Sequence, residues 1–497
     1  MTEPAAAQNR RNDIAAMPLR LPRYLSDWVG AQRWFSSTNR SPHLQNVGTW
    51  ELPTTLPALG ITVIFVRDAD DTGADRKTFQ VPLTYRSEAV PGMANALIAT
   101  TEEGDGGTRY IYDAPHDPAF AGALLRFILE REAYPNVVDT AAHTLARGVI
   151  VPSRASFPTA PTVASSRVLQ SEQSNTSIVF DLRDDNDRPL RPVICKIFRT
   201  LHAGANPDVT VQSALARTGS RCIPEPVGCI EGEWSDSQEQ SGRATGHLVF
   251  AQEFLHGAQD GWQEALLSAQ TGGDFGPAAR RLGETTAVLH TDLARVEPPQ
   301  LPTPRTMAQI VSGLLDRFRE AAREVPELAE LRDDVESIYA RALATPWPPL
   351  QRVHGDFHLG QVLDAPGRGW MVLDFEGEPL RALHERTLPD VPLRDVAGML
   401  RSFDYAAATV NQAHREVNPA VAGEWADRCR RAFLDGYERR SGLRVSDDDP
   451  LLVAFELDKA VYETVYETRH RPDWLALPLR AVRRIISADS RSRNDRD

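Results

Sequence analysis

The 497-residue sequence predicts a bilobal α+β fold with an extra N-terminal α+β module ahead of the two lobes. Three observations predict it. Short apolar strands dominate from about Val168 to Leu255, the chain becomes mainly helical after Gly257, and the stretch from Thr49 to Thr101 has strands of its own behind a short helix. The expected division is a cap module at 1–110, a β-rich lobe at 111–255 and a helical lobe at 256–497. A chain of this length is expected to hold more than one hydrophobic core.

Taken in order, the first 20 or so residues read as a flexible lead without a continuous apolar core, so no secretory signal is expected. Tyr24–Phe35 has helical amphipathicity, with Ser26 or Asp27 near its start. Ile61–Val66 and Thr78–Tyr85 read as strands, with the turn-rich Asp68–Gly73 between them as a hairpin loop. Ala123–Arg131 reads as a helix. Gln170–Ser177 is a small-polar turn before a strand, and Val193–Phe198 is an apolar strand carrying a single Lys196. Beyond Leu255 the helical pattern covers Pro277–Leu293, Met307–Ala322, Asp333–Ala344, Pro392–Tyr405, Ala420–Arg440 and Leu451–Glu467. The last residues, Ser487–Asp497, are polar and read as frayed.

Composition excludes some classes. The formal net charge of −13 argues against a general nucleic-acid binder, which would carry a basic stripe. No run approaches the roughly 20 apolar residues of a membrane span. Four cysteines, Cys195, Cys222, Cys229 and Cys429, have no paired metal spacing, so a reduced cytoplasmic chain is expected.

The segment carrying most chemistry is Arg352-Val353-His354-Gly355-Asp356-Phe357-His358-Leu359-Gly360-Gln361, followed by Val372-Leu373-Asp374-Phe375-Glu376. It offers one acid on a tight loop, an amide five residues later and a second acid at the end of an apolar run. Transfer of a phosphoryl group from Mg-ATP needs such a set: a carboxylate facing the acceptor hydroxyl and oxygen ligands for a hard cation. A single loop Asp is ordinarily a turn former or a helix cap; the joint spacing is what favours chemistry. His354 and His358 also stand i, i+4 as in zinc-protease helices, but Gly355 occupies the position where that motif has its general-base Glu.

This segment resembles the catalytic loop of the kinase-like fold in the form used by aminoglycoside and sugar phosphotransferases. Protein kinases carry His-Arg-Asp, then Asn at the offset of Gln361, then Asp-Phe-Gly where this chain has Asp374-Phe375-Glu376. The resemblance implies ATP and magnesium as cofactors, Asp356 as catalytic base, and Gln361 and Asp374 as metal ligands. It implies that Lys196 grips the nucleotide phosphates, that the turn Ser174, Asn175, Thr176 and Ser177 covers them, and that Gln252, Glu253 and Phe254 form the hinge that meets adenine. Asp208 is the available acidic partner for Lys196, although Thr210 stands where a Glu was expected.

The helix from Phe455 to Glu467 sets Glu456, Glu463 and Glu467 close to one face, and Arg471 and Trp474 follow it. Carboxylates, an arginine and an aromatic plane suit a sugar; a charged solvent-exposed helix is the alternative. With Gln32–Phe35, Gln173–Ser177, Asn206–Asp208, Glu253–Phe254, Asp260–Trp262, Asp374–Pro379, Pro392–Tyr405 and Glu456–Trp474, most of the chain is similar to actinobacterial maltokinases. That likeness implies phosphorylation of maltose to maltose 1-phosphate. The closely similar bacterial glucosamine kinases imply the alternative, glucosamine 6-phosphate; a non-catalytic sugar- or nucleotide-binding module is more distant. A sugar and ATP are the expected partners.

Overall fold

The computed structural model describes residues 21–35, 42–54, 56, 59–71, 76–102, 107–130, 145–152, 161–169, 175–236, 238–379, 381, 383–413 and 419–494. The expected flexible lead and Ser174 with the turn before it lie outside these. The chain forms two compact units: Met1–Ala216 with Pro224–His256, and Arg217–Ile223 with Gly257–Asp497.

Among its described residues the first unit forms two six-stranded sheets, the sixth strand of the first being a two-residue strand that pairs with its third. In the first, β1 (Leu44–Glu51), β2 (Leu59–Asp68), β3 (Thr78–Arg86), β4 (Leu97–Glu102) and β5 (Thr108–Asp113) run in the order β1-β2-β3-β5-β4. The strands expected at Ile61–Val66 and Thr78–Tyr85 are β2 and β3. Helix α1 (Arg23–Gly30) buries Leu25 and Val29 in one core with Ile64, Val66, Phe79, Val81 and Leu83. Ile61, Val63 and Phe65 point the other way into a second core with Ile178, Val193 and Phe250. Both faces of β2 are therefore buried, which is why it reads as a continuous apolar run rather than an alternating one. Helix α2 (Pro118–Leu129) starts at Asp117, whose side chain accepts from the Ala119 N–H.

The second sheet takes β6 (Leu145–Ile150), β7 (Thr162–Val168), β8 (Asn175–Arg183), β9 (Val193–Phe198), β11 (Pro226–Ser235) and β12 (Arg243–Glu253) in the order β6-β11-β12-β9-β8-β7. Two-residue β10 (Thr200–Leu201) leaves β9 and pairs with β3 of the first sheet. The Gln80 amide locks this junction by donating to the carbonyls of Phe198 at 3.0 Å and Leu248 at 2.9 Å. The helix expected after Gly204 is α3 (Pro207–Thr218).

The second unit is mainly helical: α4 (Gly261–Thr271), α5 (Gly276–Val296), α6 (Pro304–Glu324), α7 (Arg332–Ala344), α8 (Leu393–Ala413), α9 (Pro419–Ser441), α10 (Pro450–His470) and α11 (Ala476–Asn494). Six correspond to the expected helices. Helix α4 was not expected; it opens at Asp260, which accepts from the Gln263 N–H at 2.9 Å, and ends at Gly272 in the left-handed region. The C-terminal stretch read as frayed is instead helical through Asn494. Ser487 and Ser490 turn their hydroxyls back onto the preceding turn, to the carbonyls of Arg483 and Ile486, and Asp489 is paired with Arg341. Polar composition there reflects local hydrogen bonding, not loss of structure. A small sheet joins β13 (Gln259–Asp260), β14 (Val362–Ala365) and β15 (Gly369–Val372). Among the described residues no helix is long and apolar enough to cross a membrane.

Candidate active site

The loop before β14 is held from three sides. Asp395, near the start of α8, accepts from the backbone N–H groups of His354 at 2.8 Å and Gly355 at 2.9 Å, and is also paired with His290 at 3.0 Å. Burial pushes the Asp395 carboxyl up, but His290 and these donors outweigh it and hold it below its ordinary value. Gly355 has φ +87°, a left-handed turn that favours glycine. His354 donates from Nε2 to the Leu373 carbonyl at 2.8 Å and accepts the Asp356 N–H on Nδ1 at 3.3 Å. Both ring nitrogens are thus engaged, and residues 354–358 form no helix. The zinc alternative loses its first ligand.

Asp356 emerges from this loop mostly buried. Its Oδ1 accepts from Lys459 Nζ at 2.8 Å, and its Oδ2 lies 3.8 Å from His358 Nε2, too far for a hydrogen bond. Burial would raise the Asp356 carboxyl, but the Lys459 ammonium and then His358 more than offset this and hold it well below the carboxylate range. His358 accepts the Gly360 N–H on Nδ1 at 3.1 Å, and burial lowers its pKa.

Gln361 and Asp374 flank the β14–β15 hairpin. Because Val362 pairs with Val372, the preceding and following residues fall opposite each other, and the Leu373 N–H donates to the Gln361 carbonyl at 2.9 Å. The Gln361 amide nitrogen is 3.3 Å from Asp374 Oδ2. Asp374 has φ +60°, an uncommon conformation for a non-glycine residue. An amide and a carboxylate offer only hard oxygen donors, which fit magnesium better than a softer metal.

The other expected residues fall in two further places. Lys196 lies on β9, between Ser177 of β8 and Phe250 of β12, so it is on an interior strand and not at a sheet edge. Its Nζ reaches Asp208 Oδ2 at 3.3 Å. Asp208 sits in the first turn of α3, 3% exposed, and also accepts from the Gln212 amide at 2.7 Å; it occupies the acidic role expected of position 210. Asn175, Thr176 and Ser177 differ from the expected open turn: they begin β8, and buried Thr176 accepts from Arg199 Nε at 2.8 Å. Gln252 and Glu253 end β12, and the N–H groups of Glu253 and Phe254 already donate to Glu225 and Pro192. A base at this segment would have to use other backbone groups.

Glu463, Glu467, Arg471 and Trp474 converge around Arg401 and Tyr405 of α8. Arg401 donates to Glu463 Oε2 at 2.7 Å, and Glu467 accepts from the Tyr405 hydroxyl at 2.5 Å and from Arg471 at 2.6 Å. Trp474 stacks on Tyr405 with 12° between the rings, and Arg471 lies over Trp474. Glu456 is paired twice by Arg430, at 2.9 Å. The like charges along α10 are therefore each matched by an arginine, and this face of the helix is buried rather than a solvated surface.

Two residues at the centre were not anticipated, Lys459 and Glu378. The available signal was a lysine set within the apolar run Leu457, Ala460 and Val461, where an unpaired ammonium is costly.

Comparison with known proteins adds to this geometry. Residues 167–443, more than half of the chain, match the family described as Phosphotransferase enzyme family, and residues 28–117 match the Maltokinase N-terminal cap domain. The chain is 31% identical over 285 residues to a glucosamine kinase of Streptacidiphilus jiangxiensis, an alignment covering 54% of this chain and 62% of that enzyme. It is 28% identical over 343 residues to a glucosamine kinase of Mycolicibacterium smegmatis, covering 65% and 80% respectively. A solved glucosamine kinase in complex with glucosamine, ADP and inorganic phosphate superposes with a TM-score of 0.60 at 24% identity, over 93% of this chain and 98% of that one. That last likeness establishes the kinase-like fold.

Proposed function

This chain belongs to the phosphotransferase enzyme family, and from that premise we propose that it transfers the γ-phosphoryl group of ATP to a hydroxyl of a sugar, with glucosamine as the acceptor. The observation that carries the reaction type is the arrangement around one hairpin: β14–β15 brings Gln361 to Asp374, while the loop ahead of it presents Asp356 with Oδ1 held by Lys459 and with no hydrogen bond to Oδ2 among the described residues. The two curated relatives and the ammonium-compatible carboxylate Glu463 support the acceptor.

In this reading the sugar hydroxyl donates to Asp356 Oδ2, which orients its oxygen toward the γ-phosphorus. The new O–P bond forms as the bond to the ADP oxygen breaks, and the hydroxyl proton passes to Asp356. A carboxylate held this acidic is a weak base, so it accepts the proton only after bond formation has acidified the hydroxyl, in keeping with a loose phosphoryl transition state. Gln361 and Asp374 would hold magnesium, which when bound offsets charge on the phosphates. Lys196, anchored by Asp208, would offer a cation to the nucleotide phosphates.

Maltose is the second reading, favoured by the cap match at residues 28–117 and by the Tyr405–Trp474 stack as a surface for a second ring. The test is ATP consumption by the purified protein with magnesium and maltose, glucose, glucosamine or an aminoglycoside, with products identified by NMR. Turnover with glucosamine supports the first reading, and an anomeric phosphate from maltose supports the second. Asp356→Ala is expected to lower kcat by about 1,000-fold or more while changing the KM for ATP little; near-normal turnover in that variant would sink the mechanism.

A further inference from the structure

We propose that Lys459 is a positioning residue for phosphoryl transfer: its ammonium, braced on Glu378, grips Asp356 by Oδ1 and so aims Oδ2 at the acceptor hydroxyl. This rests on the reading of Asp356 given above.

Lys459 Nζ donates to Asp356 Oδ1 and to Glu378 Oε1, each at 2.8 Å, and lies 4.7 Å from the centre of the Tyr462 ring. The Lys459, Asp356 and Glu378 side chains are respectively 15%, 15% and 6% exposed, so the triad exchanges little with bulk water. A lysine is a flexible point charge, and its use as a positioning group needs both ends fixed. The backbone end is fixed through its neighbour Asp458, which takes two hydrogen bonds from Arg317 and one from Arg394. The far side of the brace is fixed by Arg381, 2.9 Å from Glu378.

The brace has a consequence for charge. The groups facing Asp356 are Lys459 and Tyr462 from α10, and His354 and His358 from its own loop; Glu378 stands behind Lys459. Without the ammonium, burial acts on the Asp356 carboxyl with only the two histidines opposing it. Its protonation then moves up toward the assay range, and the free rotamer loses its aim.

The experiment compares Lys459→Met, Lys459→Arg and Glu378→Gln with the unaltered chain and Asp356→Ala. The probes are Mg-ATP with glucosamine and, in parallel, with maltose, between pH 5 and 9. Lys459→Met is expected to lower kcat by about 100-fold, leave the KM for ATP within about threefold, and give the kcat profile an acid limb at least about one pH unit above that of the unaltered chain. Lys459→Arg keeps both histidines and the charge, and is expected to recover most of kcat without the new limb. A folded Lys459→Met protein with an unshifted acid limb and kcat within about threefold of the unaltered chain overturns the proposal. Should Lys459→Met fail to fold, Glu378→Gln carries the test, since it loosens the brace but leaves the Lys459–Asp356 contact. It is expected to lower kcat by about tenfold at an unchanged acid limb, and unchanged kcat overturns the proposal. Loss of turnover in Asp356→Ala alongside an unaffected Lys459→Met removes only the role of Lys459; persistence of turnover in Asp356→Ala removes the reading on which it rests.

Discussion

Gly398 of α8 packs so closely on the catalytic loop that a Cβ built on it would lie 2.5 Å from the carbonyl oxygen of Phe357. One turn earlier on the same helix, Asp395 holds the loop by the backbone N–H groups of His354 and Gly355. Asp356 is thus set between two contacts made by one helix. Gly398→Ala forces the loop to shift by several tenths of an ångström, and overpacking of this kind costs about 1–3 kcal/mol. The expected result is a lower midpoint in thermal unfolding together with a fall in kcat of about tenfold or more, because displacement of a positioned group is costly to the rate. Unchanged kcat in a destabilised protein would mean that the α8 contact serves stability alone.

Lys196 and Asp208 form the other charge pair near the expected nucleotide groups. The pairing fixes a long flexible cation on an interior strand, with Asp208 itself held by the Gln212 amide. Asp208→Asn removes the anchoring charge and leaves the backbone unaltered. It is expected to raise the KM for ATP by about tenfold and to leave the KM for the sugar within about twofold, and Lys196→Met is expected to do so more strongly. Steady-state kinetics with each substrate varied in turn checks this. A change confined to the sugar KM would move Lys196 away from the nucleotide.

The reach of the sequence is clearest by comparing Gln361 with Lys459. Gln361 and Asp374 are joined by a short hairpin, so their spacing along the chain already implies their meeting in space. The same is true of Gly355, whose small size marks the turn before Asp356. Lys459 meets Asp356 across 103 residues, a contact that only the packing of α10 against the loop creates. Asp395 was visible within a helix, yet its bonds to backbone N–H groups leave no trace in the pattern of side chains. Thr176 and Ser177 differ from the expected turn for a related reason: small polar residues suit a turn, but strand pairing with Ile197 and Lys196 and the Arg199 bond draw them into β8. The C-terminal helix differs from the expected frayed end because Ser487 and Ser490 satisfy their hydroxyls on the backbone.

Glu463 provides the sharpest distinction between an amino sugar and a neutral one. Arg401 engages Oε2 alone, and among the described residues no hydrogen bond is made to Oε1, whereas Glu467 is taken up on both oxygens by Arg471 and Tyr405. Burial raises the Glu463 carboxyl above its ordinary value despite Arg401 acting in the opposite direction. It therefore loses its charge at a higher pH than an exposed glutamate does, and attraction for an ammonium weakens as the pH falls through that raised value. The prediction has two parts. Glu463→Gln, which keeps shape but removes charge, is expected to raise the KM for glucosamine by about tenfold while changing that for maltose or glucose by less than about threefold. In the unaltered chain the glucosamine KM is expected to climb on the acid side while the ATP KM stays level, and Glu463→Gln is expected to flatten that climb. Equal losses with charged and neutral sugars would assign Glu463 to a hydroxyl instead, since a hydrogen bond to a hydroxyl does not discriminate the ammonium from its neutral counterpart.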